Sequence, residues 1–169
     1  FQNFTADTII SSKSFEAMEG KLSHQASWKD SVYEVYDKAS LPLKWTLELK
    51  QTCDDVGIHY FTTPYEISFI NSLKDHVVGW KLGSGDITWH DHIRTMAELD
   101  MPFFIATGAS TLQEVKEAMS VAMENTNKII LMQCNTNYTA SLENFKYIAL
   151  NVLKTYSKLF PETVLGLSD

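Results

Sequence analysis

Apolar positions along the chain keep two rhythms. Residues 1–4 (FQNF), 59–63 (HYFTT), 79–83 (GWKLG), 102–107 (PFFIAT), 128–134 (KIILMQC) and Val164–Ser168 (VLGLS) are short apolar runs without clean polar alternation. That is the signature of strands covered on both faces. Between the runs, apolar residues recur at helical spacing. Leu112, Val115, Met119 and Ala122 make one stripe, and Leu142, Phe145, Ala149, Val152 and Tyr156 a second. Trp45, Leu49, Cys53 and Val56 make a third, closed by Gly57. Two stretches read as helix starts. Thr63-Pro64-Tyr65-Glu66 offers a cap, a proline at the first helical position and a glutamate three residues on. Thr111 followed by Glu114 is a capping box.

The predicted order is strand, helix, strand, helix. From the second strand onward the strands are roughly 20–35 residues apart, the size of a βα unit. Residues 11–40 are less regular and read as a helix plus a long excursion on the functional rim. No linker or low-complexity segment divides the chain. This α/β pattern fits a (β/α)8 barrel lacking some strands, or an open doubly wound sheet. A glycine-rich dinucleotide fingerprint is absent, and almost every strand ends in polar residues: Thr62 and Thr63, Ser84 and Asp86, Thr107, Gln133 and Asn135, Ser168 and Asp169. Barrels build active sites from groups at the C-terminal ends of their strands, so the barrel is favoured.

Composition narrows the function. The chain has 169 residues, 44% apolar and 12% aromatic, enough for one domain with a sizeable core. A net charge of −7 without a basic run argues against nucleic acid and anionic membrane as partners. Any anionic ligand must therefore be held by a few local cations. Cys53 and Cys134 are far apart and in no metal-binding pattern, which fits free thiols in a reducing, cytoplasmic compartment. No apolar run reaches the ~18 residues of a membrane span, and no stretch of these residues reads as a signal peptide. The chain starts on Phe1 and stops on a strand-like run, so both ends read as truncated.

One stretch carries the chemistry. In Trp80-Lys81-Leu82-Gly83-Ser84-Gly85-Asp86, alternation puts Trp80 and Leu82 on one face and Lys81 and Gly83 on the other. If the apolar pair packs against helices, Lys81 points into the barrel. A buried, unpaired ammonium costs several kcal/mol. Lys81 could pair with a structural carboxylate or reach water. Its neighbours suggest an anion instead: Gly83 and Gly85 let backbone N–H groups approach a ligand, and Ser84 adds a hydroxyl. Thr63, read as opening a helix, would bring the positive end of that helix to the same anion, beyond its capping role.

KLGSGD, with FTTP before it and ATGAS, LMQC and GLSD after it, resembles the sialic acid synthase family along the whole chain. Residues 31–45 (SVYEVYDKASLPLKW) are similar to an insertion of its pseudaminic- and legionaminic-type members. The resemblance implies a (β/α)8 barrel of which residues 1–169 hold strands two to seven. The first and eighth strands and a C-terminal antifreeze-like domain would lie outside. Two open barrel edges would then make the isolated piece prone to self-association. The implied reaction condenses phosphoenolpyruvate with an N-acylated hexose such as N-acetylmannosamine, in a homodimer. Thr63, Lys81, Ser84, Thr107 and Ser168 would hold phosphoenolpyruvate, Gln2 and Tyr138 would face the sugar, and Asp86 would take the acidic position beside both. The implied divalent metal, Mn2+ or Mg2+, would have its histidine ligands outside this chain, so the piece alone is expected to be inactive.

The chain departs from the family pattern at several points. Ala106 stands where serine is common, with Thr107 adjacent. Gln133 replaces a frequent histidine, and Tyr138-Thr139 replaces Tyr-Pro. Other constellations have plainer readings. His90-Asp91-His92 resembles a metal pair but fits an exposed helix start. Cys134 fits a buried strand-end thiol, and Met119, Met123 and Met132 fit core positions. Asn137-Tyr138-Thr139 matches a glycosylation sequon without a secretory context. Two other functions stay open: a Schiff-base aldolase using Lys81 as nucleophile, and a non-catalytic barrel piece that binds a partner.

Overall fold

The computed structural model describes residues 1–17, 25, 28–136 and 142–168. Six strands run parallel: β1 (Gln2–Asn3), β2 (Thr63–Pro64), β3 (Trp80–Leu82), β4 (Phe103–Ala106), β5 (Ile129–Cys134) and β6 (Val164–Ser168). They pair in chain order. β1 lies on β2, β3 to β6 form one ladder, and a Thr62–Trp80 bridge joins the two groups. Each new strand adds beside its predecessor, so the connecting helices fall on a single face. A doubly wound sheet instead reverses its order and carries helices on both faces. The architecture is a partial (β/α)8 barrel.

The helices are α1 (Ala6–Ile9), α2 (Ser12–Ala17), α3 (Val32–Ala39), α4 (Thr46–Asp55), α5 (Ile67–Leu73), α6 (His90–Ala97), α7 (Leu112–Met123) and α8 (Val152–Leu159). Local chemistry sets several ends. Thr111 caps α7 with a full capping box through Glu114, and Ser31 does the same for α3 through Glu34. Gly57, at φ +73°, closes α4 in the left-handed region that a Cβ disfavours.

Strand alternation sorts the core into two sides. Trp80, Leu82, Phe103, Ile105, Ile129 and Leu131 are buried against helix residues such as Leu73, Ile93, Met96, Val115 and Met119. On the other face, Ala106, Met132 and Cys134 cluster with Phe104 and Ile130, inside the barrel curve. Phe61 stacks on Phe104 there, with ring centroids 5.3 Å apart.

Four expectations are corrected. The run at 59–63 is regular only at its end, where Thr62 bridges Trp80 and Thr63 begins β2. Thr63-Pro64-Tyr65-Glu66 does not start a helix. Thr63 and Tyr65 donate their N–H groups to the Phe1 and Asn3 carbonyls, and α5 begins at Ile67 without a side-chain cap. Proline holds its predecessor extended, and pairing with a strand some sixty residues away overrides the cap signal. The Leu142–Tyr156 stripe splits into a 3-10 turn (Leu142–Tyr147) and α8. Leu142 and Phe145 are exposed, and Tyr156 is the buried anchor. Met123 is half-exposed, unlike Met119 and Met132.

Candidate functional site at the strand ends

Trp80 and Leu82 are fully buried among the helices, and Lys81 lies on the opposite face. Its Nζ donates to Ser168 Oγ at 2.8 Å, bridging β3 to the end of β6. No carboxylate among the described residues pairs with it. Strand register explains the reach. Lys81 is in register with Phe104 and, through β5, with Ile130, whereas Ser168 aligns with Cys134, four residues further along. In the layer between, the inward positions on β4 and β6 are Ala106 and Gly166, and Gly83 follows on Lys81's own strand. Met132 is the inward residue of that layer on β5, and the four-carbon stem rises from β3 to the strand ends, where its ammonium meets the hydroxyl.

Thr63 belongs to the same face. Thr62 pairs with Trp80 and Lys81 donates its N–H to the Thr62 carbonyl, so Thr63 follows Lys81 in alternation. It is buried and serves from a strand rather than from a helix terminus. Gln2 is in register with Thr63, and its Nε2 donates to the Tyr65 hydroxyl at 3.5 Å. Tyr65 continues the Thr63 parity and sits over Gly83. A Cβ built on that glycine would be 3.2 Å from the Tyr65 hydroxyl and 2.5 Å from Asp86 Oδ2. Position 83 must therefore be glycine for the tyrosine and the carboxylate to crowd onto this backbone.

The turn after β3 is fixed by two backbone bonds. Asp86 N–H donates to Gly83 O at 3.0 Å, and Trp89 N–H donates to Asp86 O at 2.8 Å. Burial pushes the Asp86 carboxyl above the usual carboxylate range. The turn after β4 packs against it. Gly108 has φ +57°, and a Cβ there would fall inside the Ser84 carbonyl oxygen. An open cleft between the two turns is lined by Tyr65, Ser84, Asp86, Thr88, Ser110 and Glu114.

Thr63, Lys81, Ser84, Asp86 and Ser168 thus share the strand-end rim, with Gln2 at its β1 side. Thr107 does not join them. It is buried, its N–H continues the ladder to the Met132 carbonyl, and alternation puts it with Phe103 and Ile105 on the helix side. The hydroxyl absent at Ala106 is not restored by its neighbour. Tyr138, Asp169 and the sequon lie outside the described residues.

The His90-Asp91-His92 segment is not an exposed helix start throughout. Asp91 is exposed and pairs with Arg94, but His92 is buried, stacks on Trp89 with centroids 4.3 Å apart, and bonds the Pro64 carbonyl at 2.9 Å. Burial holds its imidazole below the ordinary value. Cys134 and Cys53 are free and buried. Among the described residues, no three His, Cys, Asp or Glu side chains group to hold a metal ion, and no helix is long and apolar enough to cross a membrane. Tyr65 and His92 are the residues that sequence reading missed. Reading residues 63–65 as strand would have placed Tyr65 by alternation, whereas His92 was read with its neighbours as an exposed helix start and is buried instead.

Comparison with known proteins agrees with this fold. The chain matches the NeuB family over residues 1–169. It is 31% identical over 145 residues to an uncharacterised protein of Methanocaldococcus jannaschii, covering 85% of this chain and 42% of that one. It is 29% identical over 163 residues to the N,N'-diacetyllegionaminic acid synthase of Campylobacter jejuni, covering 94% of this chain and 48% of the relative. The chain therefore spans less than half the length of these curated relatives. A crystal structure of an N-acetylneuraminic acid synthetase from Leptospira borgpetersenii superposes with a TM-score of 0.79 at 22% identity, covering all of this chain and 53% of that one. With its parallel strands and a family match over all 169 of its residues, the chain belongs to the NeuB family, the sialic acid synthases.

Proposed function

We propose that the intact protein is a nonulosonic acid synthase that condenses phosphoenolpyruvate with an N-acylated hexose and releases phosphate. The observation that carries this reading is the Lys81 ammonium, turned into the barrel and bonded to the Ser168 hydroxyl rather than to a carboxylate. A cation held only by a hydroxyl keeps most of its attraction for an incoming anion. Thr63 and Ser84, with the glycine-flanked backbone beside them, supply the neutral donors that a phosphate or carboxylate needs.

In the proposed reaction, carbon-3 of phosphoenolpyruvate forms a bond to the aldehyde carbon of the open-chain sugar, and the aldehyde oxygen takes a proton. Water adds at carbon-2. The resulting tetrahedral centre expels phosphate, leaving the 2-keto acid. Lys81, Thr63, Ser84 and Ser168 hold the anionic cosubstrate in line, and their contribution is positioning and charge stabilisation. Asp86, whose proton is held more tightly by burial, is suited to pass a proton to or from the reacting oxygens. Gln2 and Tyr138 would face the sugar. Among the described residues no three His, Cys, Asp or Glu side chains group to hold the divalent cation that the resemblance implies, and its histidine ligands would come from outside this chain. Homodimer pairing and residence in the cytoplasm belong to the same proposal.

The test is phosphate release by the intact protein with phosphoenolpyruvate across a panel of N-acylated hexoses. Release that depends on one sugar supports the reading. Borohydride trapping of a pyruvate or sugar adduct on Lys81, without phosphate release, would replace it with an aldolase.

A further inference from the structure

The β2–β3 ladder ends one rung early. Lys81 N–H donates to the Thr62 carbonyl at 3.0 Å. In a parallel ladder the next rung on this side would run from Gly83 N–H to the Pro64 carbonyl. That rung is not made. The Pro64 carbonyl is taken by His92 Nε2 at 2.9 Å, from helix α6 on the far side of the turn. A carbonyl only accepts, so Nε2 carries the proton and the buried ring is the neutral Nε2–H tautomer. Its Nδ1 lone pair then has no partner among the described residues. Packing alone does not account for this histidine. A leucine would fill the apolar space without leaving a nitrogen orphaned, and Gly83 could satisfy the carbonyl unaided.

The released Gly83 N–H has no hydrogen-bond partner among the described residues. It lies between Lys81 and Ser84, where an anion would sit. His92 also underlies the turn itself. It stacks on Trp89 at an interplanar angle of 13°, and Trp89 N–H holds the Asp86 carbonyl. We propose that His92 is a positioning residue: bonded to the Pro64 carbonyl and stacked on Trp89, it braces the Ser84–Asp86 turn so that the Gly83 N–H stays out of the sheet and available to an anionic ligand. The proposal rests on the reading of this rim as a phosphoenolpyruvate site.

The experiment compares His92→Leu and His92→Gln in the intact protein. Glutamine can place a donor where Nε2 stands, whereas leucine cannot. His92→Leu should raise KM for phosphoenolpyruvate about tenfold, the loss of one charge-assisted hydrogen bond, with KM for the sugar within about twofold. His92→Gln should recover most of that loss. Amide exchange at Gly83 reads the same device without catalysis. It should be fast in the wild-type protein and in His92→Gln, and slowed in His92→Leu as the ladder closes. Equal loss in both variants, or kinetics unchanged while only the melting temperature falls, would overturn the proposal. So would a Gly83 amide already protected in the wild type. If the protein does not use phosphoenolpyruvate, the kinetic arm is silent for all variants while the Gly83 exchange pattern still judges the histidine, so the two failures are distinguishable.

Discussion

Three glycines allow the packing between the β3 and β4 turns to be measured by difference. A Cβ added to Gly85 would meet nothing within 4 Å, and this glycine does not lie at positive φ. Gly57 has φ +73° with nothing within 4 Å. Gly108 combines φ +57° with a Cβ site inside the Ser84 carbonyl oxygen and 3.0 Å from the carbonyl carbon. Alanine at Gly85 should be neutral within about 0.5 kcal/mol. Alanine at Gly57 should cost about 1–2 kcal/mol, the left-handed penalty alone. At Gly108 the same penalty is joined by a clash between two backbones, which no rotamer can relieve. An overpacking cost of about 1–3 kcal/mol is added, for a total near 2–5 kcal/mol. Urea unfolding of the intact protein, read as a shift in midpoint at constant m-value, measures each. Because Ser84 must move to admit the methyl group, Gly108→Ala should also raise KM for phosphoenolpyruvate, whereas Gly57→Ala should not. If Gly108→Ala costs no more than Gly57→Ala, the two turns are not in close contact and the rim geometry described above is wrong.

Other outcomes follow from single contacts. Lys81→Met removes the inward cation and should lower kcat/KM for phosphoenolpyruvate by about 10²–10³-fold in a phosphate-release assay, with a folded circular dichroism spectrum retained. Asp86 has a raised pKa from burial, so its ionisation opposes folding as pH climbs from its unfolded value through the folded one. Asp86→Asn should therefore lose activity yet raise the melting temperature at pH 7, and the gain should vanish in acid, where both forms are neutral. Thr126 is buried, donates to Asp100 Oδ1 at 2.8 Å and accepts from the Lys128 N–H at 3.1 Å. Thr126→Val should cost about 1–3 kcal/mol in the same urea titration without touching KM.

How much of this was legible beforehand divides along physical lines. Burial on both faces writes itself into composition, so the strands and their order could be read directly. The side of Lys81 followed from alternation between Trp80 and Leu82. Thr107 could have been sorted by the same count, since two steps from Phe103 reach Ile105 and two more reach Thr107 on the helix side. The TPYE stretch misled because its cap signal is local, while the hydrogen bonds that win come from Phe1 and Asn3. The Leu142–Tyr156 periodicity spans two elements with a break, and a moment summed along a stripe does not see a break. His92 and the Gly83–Gly108 contacts depend on which turn lies beside which, information that only the assembled barrel holds.

The small residues at the level above Lys81 have a consequence for how such a protein can diversify. Gly83, Ala106 and Gly166 come from three separate βα repeats, and a Cβ at Gly83 would lie 2.5 Å from Asp86 Oδ2 and one at Gly166 3.2 Å from Met132. A larger side chain at either glycine would need its neighbours to move with it, so neither can drift alone. Gly85, where a Cβ would meet nothing within 4 Å, carries no such joint constraint. Drift can therefore rewrite such open positions singly, while the crowded ones are inherited together with the residues that press on them.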